Sequence, residues 1–226
     1  MKELKVIAKI HNGFSEKFGI PRQSGLADIP SQIVFEKEYR NPDALRGIEQ
    51  YSHLWLLWEF RKLGNAEWSP TVRPPRLGGN ERVGVFATRS PNRPNGIGLS
   101  SIRLTGVQKT EKYGMVLNIS GADILDGTPI YDIKPYIKYT DCIENAESGF
   151  AEEKAAYRMS VEVPEVVERL TDGKLLDEIK ALLAGDPRPS YQNDPTRVYG
   201  MNYNGFNVLF RVENGTAVIE NIEKMP

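Results

Sequence analysis

What most limits the fold of this chain is the way proline and glycine punctuate roughly its first 140 residues. PTVRPPRLGGN (70–80), SPNRPNG (90–96) and DGTP (126–129) cut the apolar segments into pieces too short for packed helices. The pieces between them read as strands. Lys5–Ile10 is a short apolar–polar segment that ends in an Asn12–Gly13 turn. Leu54–Phe60 (LWLLWEF) has the density of a strand buried on both faces, and Val83–Ala87 and Met115–Ile119 are further strands. Ile97–Val107 alternates, but its apolar phase slips at Ser100–Ser101, where a β-bulge would restore the register. Many short strands, long Pro/Gly loops and few helices predict a mainly β fold built on a β-barrel.

The pattern changes near Gly149–Tyr157. From Pro164 to Ala184 the apolar residues fall at helical spacing, broken into two helices at Gly173 and stopped by Gly185 as a C′ glycine. Strands Val198–Tyr203, Phe206–Val212 and Ala217–Ile222 follow, joined by Asn204–Gly205 and Asn214–Gly215 turns. The expected organisation is a barrel domain over 1–148 and a small α+β domain over 149–226.

Several function classes drop out. The 226 residues are 40% hydrophobic and 26% charged, the balance of a soluble globular protein. No apolar run approaches the roughly 20 residues of a membrane span. The start, MKELKVIAKI, lacks a signal-peptide core, so no membrane is expected and the cytoplasm is. A single cysteine, Cys142, allows no internal disulfide and no Cys-rich zinc site, and no metal is expected. There is no P-loop, zinc-protease helix or Rossmann glycine fingerprint. His11 and His53 are far apart without triad partners, and His53 at the head of an apolar strand reads as structural. Net charge is −1, yet Arg73, Arg76, Arg82, Arg89 and Arg93 share one stretch with a single acid, Glu81. That stretch suits an anionic partner, or is a charged surface loop. Asp141, Glu144, Glu147, Glu152 and Glu153 make the following region acidic.

Three segments stand out: Ile20–Gln23, residues 72–100, and DILDGTPIYDIKPY at 123–136. Rigid prolines and permissive glycines interleaved with polar groups can hold a fixed, irregular backbone around a pocket. The same composition also serves structural turns.

These segments carry a resemblance. FGIPRQSGL, IEQYSHLWLLWEF, PTVRPPRLGGNERVGVFATRSPNRPNGIGLS, DILDGTPIYDIKPY and DPRPSY, in that order and over nearly the whole chain, resemble the TrmO family, also called YaeB or TsaA-like. Its members are tRNA N6-threonylcarbamoyladenosine methyltransferases. The resemblance implies a non-Rossmann β-barrel whose long loops bind S-adenosylmethionine, usually in a homodimer. It implies as substrate the modified adenosine immediately after the anticodon of tRNA. One departure is visible: the family often reads RPNPIG, whereas Gly96 follows Asn95 here, which would loosen the loop.

Roles follow by matching position to motif. Pro21, Arg22 and Gln23 match a cofactor-binding segment. Arg61 and Lys62 match a second, where the backbone matters more than variable side chains. Arg89 matches an arginine that could hold the methionine carboxylate in bidentate fashion, or be a surface ion pair. Asp126, Gly127, Thr128 and Pro129 match a third cofactor segment, with Asp126 equally able to cap its own turn. Asp126 and Asp132 are candidate bases for the N6 proton, and Asn95 could orient the carbamoyl group. Arg73, Arg76, Arg82 and Arg93 would meet phosphates. Lys134 could grip phosphate or the threonyl carboxylate, or be a paired structural lysine. Tyr131 or Tyr136 could stack on a splayed base. Arg188 and Tyr191 of DPRPSY could help read the anticodon loop or form a packing turn. The competing readings are a barrel that binds S-adenosylmethionine or RNA without chemistry, and a methyltransferase acting on a small molecule or another base.

Overall fold

The computed structural model describes residues 3–60, 68–74, 77, 81–154, 157–189, 192 and 194–225. Its N-terminal part holds β1 (Ala8–His11), β2 (Pro30–Phe35), β3 (His53–Glu59), β4 (Thr71–Val72), β5 (Val83–Gly84), β6 (Ile97–Thr110), β7 (Gly114–Ser120) and β8 (Pro129–Pro135). Six of these form a closed barrel in the order β1-β2-β7-β6-β3-β8, with β1 pairing to both β2 and β8. Closure leaves no unpaired edge to protect. β4 and β5 make a separate two-stranded ribbon.

A small barrel has one inside, and this corrects the reading of LWLLWEF. Burial alternates along β3, with Leu54, Leu56 and Trp58 inward and Trp55 and Leu57 on the half-covered outer face. The inward residues join Ala8, Ile10, Ile33, Ile102, Leu117, Ile119, Ile124 and Ile130 in one apolar cluster. The expected bulge at Ser100–Ser101 is also displaced. β6 pairs with β3 without interruption from Ile97 to Arg103, and the irregularity falls later, between Leu104 and Gly106. The apolar phase slips because a polar residue, Ser100, occupies an inward position while Ile97 and Leu99 face out. Two further differences are local. β1 begins at Ala8, and the Val83 strand gives way to a 3₁₀ turn at Val85–Ala87. β2 and β8 are strands that the sequence pattern does not single out.

A short helix, α1 (Lys138–Asp141), leads out of the barrel. Beyond it come β9 (Ser160–Glu162), α2 (Glu165–Glu168), α3 (Gly173–Ala184), β10 (Tyr199–Tyr203), β11 (Phe206–Glu213) and β12 (Thr216–Lys224). The sheet order is β10-β11-β12-β9, with β9 parallel to β12. Both hairpins turn on Asn-Gly pairs with positive φ at each residue, 50° and 79° at 204–205, 49° and 78° at 214–215, the geometry that two-residue hairpins favour. Asp172 caps α3 by accepting from Leu175 N–H at 2.8 Å. Gly185 is the C-cap residue but is right-handed (φ −75°), and the left-handed residue that ends the helix is Asp186 (φ 48°). An acidic residue tolerates that conformation when its side chain bonds locally.

α3 lays Leu175, Leu176, Ile179, Leu182 and Leu183 on Met201, Val208, Phe210 and Ile219 of the sheet. Phe14, Ala27 and Ile29, from the connection between β1 and β2, belong to the same core. Phe18 stacks on Phe210 at 6.4 Å, and Gly19 (φ 93°) lies so close to Met201 that a Cβ would stand 2.6 Å from its sulfur. The segment carrying residues 20–23 is thereby held between barrel and C-terminal sheet.

Candidate active site

A polar chain runs through the mainly apolar barrel. The Trp58 indole faces Gly98 across the β3–β6 pair. A Cβ on Gly98 would lie 2.2 Å from the ring, so only glycine leaves the indole its place. Trp58 Nε1–H donates to Ser100 Oγ at 2.9 Å, and the Ser100 hydroxyl donates to Asp123 Oδ1 at 2.6 Å. Trp58 is 6% and Ser100 1% exposed. Burial pushes the Asp123 carboxyl up from its ordinary range, against the Ser100 hydrogen bond and the nearby Arg89 charge, which pull it down. Gly98→Ala is expected to drive the indole aside and cost roughly 1–3 kcal/mol by overpacking. Denaturant unfolding should report that loss, and unchanged stability and tryptophan fluorescence would contradict the packing.

Asp123 opens on a cavity of about 210 Å³ whose walls are Ile20, Trp58, Phe60, Pro91 and Leu125, with Lys17, Glu59 and Thr128 as its other polar members. The three segments singled out in the sequence meet here. Arg89 Nη1 donates to Gln23 Oε1 at 2.6 Å, and Gln23 Nε2 donates to the Arg22 carbonyl at 2.7 Å. Arg22, next to Pro21, donates through Nη2 to the carbonyls of Asp186 and Arg188 at 3.1 and 2.8 Å. A larger cavity of about 260 Å³ lies against α3, beside Asp172, Glu178 and Tyr203. Burial and the Glu178 carboxylate, which accepts from the Tyr203 hydroxyl at 2.7 Å, push that hydroxyl's pKa up. The sequence candidates described do not line this second cavity.

The remaining candidates distribute unevenly. In the 126–129 turn, Gly127 (φ 70°) donates its N–H to the Ile10 carbonyl and Thr128 reaches the first cavity. Asp126 instead accepts from Asn12 N–H at 3.0 Å and stands 3.5 Å from His11 Nδ1, while Pro129 opens β8. Asp132 and Lys134 form an ion pair at 2.7 Å on the outer face of the barrel, in register with Leu57 and Trp55. Tyr136 packs against Trp55 at 5.5 Å and His53 at 6.2 Å. Asn95 is exposed, and the neighbouring Gly96 carbonyl accepts from Phe60 N–H at 2.8 Å. That bond needs only a carbonyl at 96, so Gly96 keeps the tie that a proline would make. Arg93 braces its own loop by donating to the carbonyls of Val85 and Thr88 and lies over the Phe86 ring. Arg82 donates to Thr71 Oγ1 at 3.2 Å, and Arg73 is exposed. Arg188 is 8% exposed and binds both carboxylate oxygens of Asp186, at 2.8 and 2.9 Å. Arg61, Lys62, Arg76 and Tyr191 lie outside the described residues. Among the described residues no three His, Cys, Asp or Glu side chains come together as a metal-binding group. The site adds Trp58, Ser100 and Asp123, which sequence reasoning missed. The signal was the phase slip at Ser100, a serine where an inward apolar residue was due.

Comparison with known proteins bears on this site. The family described as tRNA-methyltransferase O N-terminal domain matches residues 9–142, and the TrmO C-terminal domain matches 154–225. The tRNA (adenine(37)-N6)-methyltransferase of Escherichia coli K12 is 39% identical over 219 residues, 93% of each chain. A Pseudomonas aeruginosa protein, whose name assigns it provisionally to the S-adenosylmethionine-dependent methyltransferases, is 42% identical over 204 residues, 86% of each chain. A crystal structure of TrmO from P. aeruginosa superposes with a TM-score of 0.79 at 33% identity, covering 99% of this chain and 97% of that one.

Proposed function

The chain belongs to the tRNA-methyltransferase O family, and from that premise we propose that it methylates N6 of adenosine 37 in tRNA with S-adenosylmethionine. The observation that carries this is the end-to-end match: both family domains in order, and a relative of that name aligned over 93% of either chain. We further read the substrate as the N6-threonylcarbamoyl form of that adenosine, the protein as a cytoplasmic homodimer, and the domains as 1–148 and 149–226.

The first cavity suits the cofactor. Its apolar wall fits an adenosyl or thioether group. Arg89, whose charge reaches Asp123 and whose side chain is held by the neutral Gln23 amide, can bind a carboxylate. Pro21–Gln23, Arg61, Lys62, Arg89 and 126–129 are the binding segments in this reading. When bound, S-adenosylmethionine brings a methyl group already activated on sulfur, so the chain's task is alignment and proton removal. Asn95 can orient the carbamoyl group. Asp126 and Asp132, engaged by Asn12 and Lys134, are the weaker candidates for the proton. Arg73, Arg76, Arg82 and Arg93, with Lys134, Tyr136 and Tyr191, form the proposed RNA face. Arg188 supports it by shaping the turn that Arg22 grips. Leu99 and Phe86, 51% and 72% exposed, supply apolar surface for a second copy.

Arg89→Ala is expected to weaken S-adenosylhomocysteine binding at least tenfold, since a charge-assisted contact is worth about 1.5–3 kcal/mol. Calorimetry measures this, and unchanged affinity in a folded variant would remove Arg89 from the pocket. The function itself is tested with labelled S-adenosylmethionine and tRNA. Label recovered as N6-methylated adenosine supports it, and cofactor binding with no transfer to any tRNA would turn the reading to a non-catalytic module.

A further inference from the structure

From the direction of the buried polar chain we infer that Asp123 is the base that takes the proton from N6 as the methyl group arrives. This rests on the methyltransferase reading above. The indole N–H of Trp58 can only donate, so Ser100 Oγ must accept from it. The one hydrogen of Ser100 is then committed to Asp123 Oδ1. Hydrogen bonding thus runs outward from the barrel interior and terminates on a carboxylate that opens on the cavity. Backbone N–H groups of Ser24 and of Asp123 itself also bind this carboxylate, which fixes it where it meets the cavity. The polar chain cannot carry a proton inward, because its far end is a donor with nothing to accept.

The alternatives fit less well. Glu59 lines the same cavity, but it sits at an outward position of β3, opposite Ile97, and lies beside the Tyr131 hydroxyl. Asp126 and Asp132 are engaged outside the cavity, by Asn12 and Lys134. The glycine at 98, required by the indole, and the inward serine at 100 make sense together as the mount for Asp123.

In the step, the N6–H bond breaks and its proton passes to Asp123. The nitrogen pair forms the bond to the methyl carbon. The methyl–sulfur bond breaks with its electrons left on sulfur, giving S-adenosylhomocysteine, and Asp123 returns the proton to solvent through the cavity mouth. The acyl group on N6 makes the proton acidic enough for a carboxylate raised by burial to help remove it.

The test is Asp123→Asn in the full chain, which keeps an acceptor for Ser100. Single-turnover methylation of modified tRNA should slow by roughly a hundredfold or more, the usual scale of general-base catalysis. S-adenosylhomocysteine affinity and KM for tRNA should stay within about threefold. The wild-type rate should fall as pH drops through the raised Asp123 pKa, and the variant's residual rate should lack that limb. Glu59 from β3, Lys17 after β1 and Arg89 before β6 also face this region, and all three remain in the variant. Ser100→Ala should lower kcat in the same direction and less, with KM unmoved, which tests the mount if Asp123→Asn folds poorly. An Asp123→Asn rate equal to wild type overturns the inference alone. So does a rate loss matched by an equal loss of S-adenosylhomocysteine binding. A wild-type protein that methylates no tRNA overturns the functional reading and this inference together.

Discussion

A tRNA whose adenosine carries the N6-threonylcarbamoyl group is expected to be methylated at least roughly a thousandfold faster than the same transcript without it. Two effects add. The carbamoyl group acidifies the N6 proton, which a carboxylate can then help to remove, whereas a plain adenine amine offers no such proton. The threonyl carboxylate also gives the basic residues a partner. Lys17 lines the cavity and the Arg89 charge acts on Asp123, while Lys134 lies outside on β8. A site arranged to pair that carboxylate forfeits charge-assisted hydrogen bonds when it is missing, each worth about 1.5–3 kcal/mol. Each 1.4 kcal/mol is about a factor of ten in rate. The decisive comparison uses one transcript with and without the enzymatically installed group. Comparable rates on both would discard the modified substrate and leave a broader adenine methyltransferase.

Local chemistry made parts of this fold readable. The Asn204–Gly205 and Asn214–Gly215 hairpins are fixed by residues that accept positive φ, and α3 by an amphipathic period with an aspartate at its start. What eluded the sequence depended on closure. β3 looked buried on both faces because aromatic residues such as Trp55 also cover the outer surface of a barrel, where α1 meets it through Asp141. β8 is not among the strands read from the pattern, because its polar Asp132 and Lys134 face outward and its pairing shows only once its partner β3 is known. The site divided the same way. The motif segments named the loops that converge on the cavity, but not which side chains enter it. Asp126 and Asp123 lie three positions apart in one segment, and only the tertiary placement of Ser100 separates the turn anchor from the cavity carboxylate.

Asp186→Ala is expected to be among the most destabilising single changes in the C-terminal half. Asp186 meets both Nε and Nη2 of Arg188, a guanidinium almost wholly buried. That contact is the first cause of the rise in the Arg188 pKa. Removing the carboxylate strands the cation, and breaking a buried pair from one side costs roughly 3–5 kcal/mol. Alanine at a φ of 48° adds roughly 1–2 kcal/mol. For a chain of this size the midpoint should fall by on the order of 10 °C. The tryptophans at 55, 58 and 68 all lie before this half, so far-UV circular dichroism is the readout to use. Asp186→Asn, which tolerates the backbone and keeps one acceptor, should cost less. Pairing it with Arg188→Met should recover part of the loss, because the stranded charge is gone. The effect should reach the active site as well. Arg22 is anchored on the carbonyls of Asp186 and Arg188, and Gln23 beside it holds Arg89, so S-adenosylhomocysteine affinity should drop with the turn. If Arg188 instead meets RNA directly, Arg188→Met will weaken tRNA binding while the melting midpoint and cofactor affinity stay where they are.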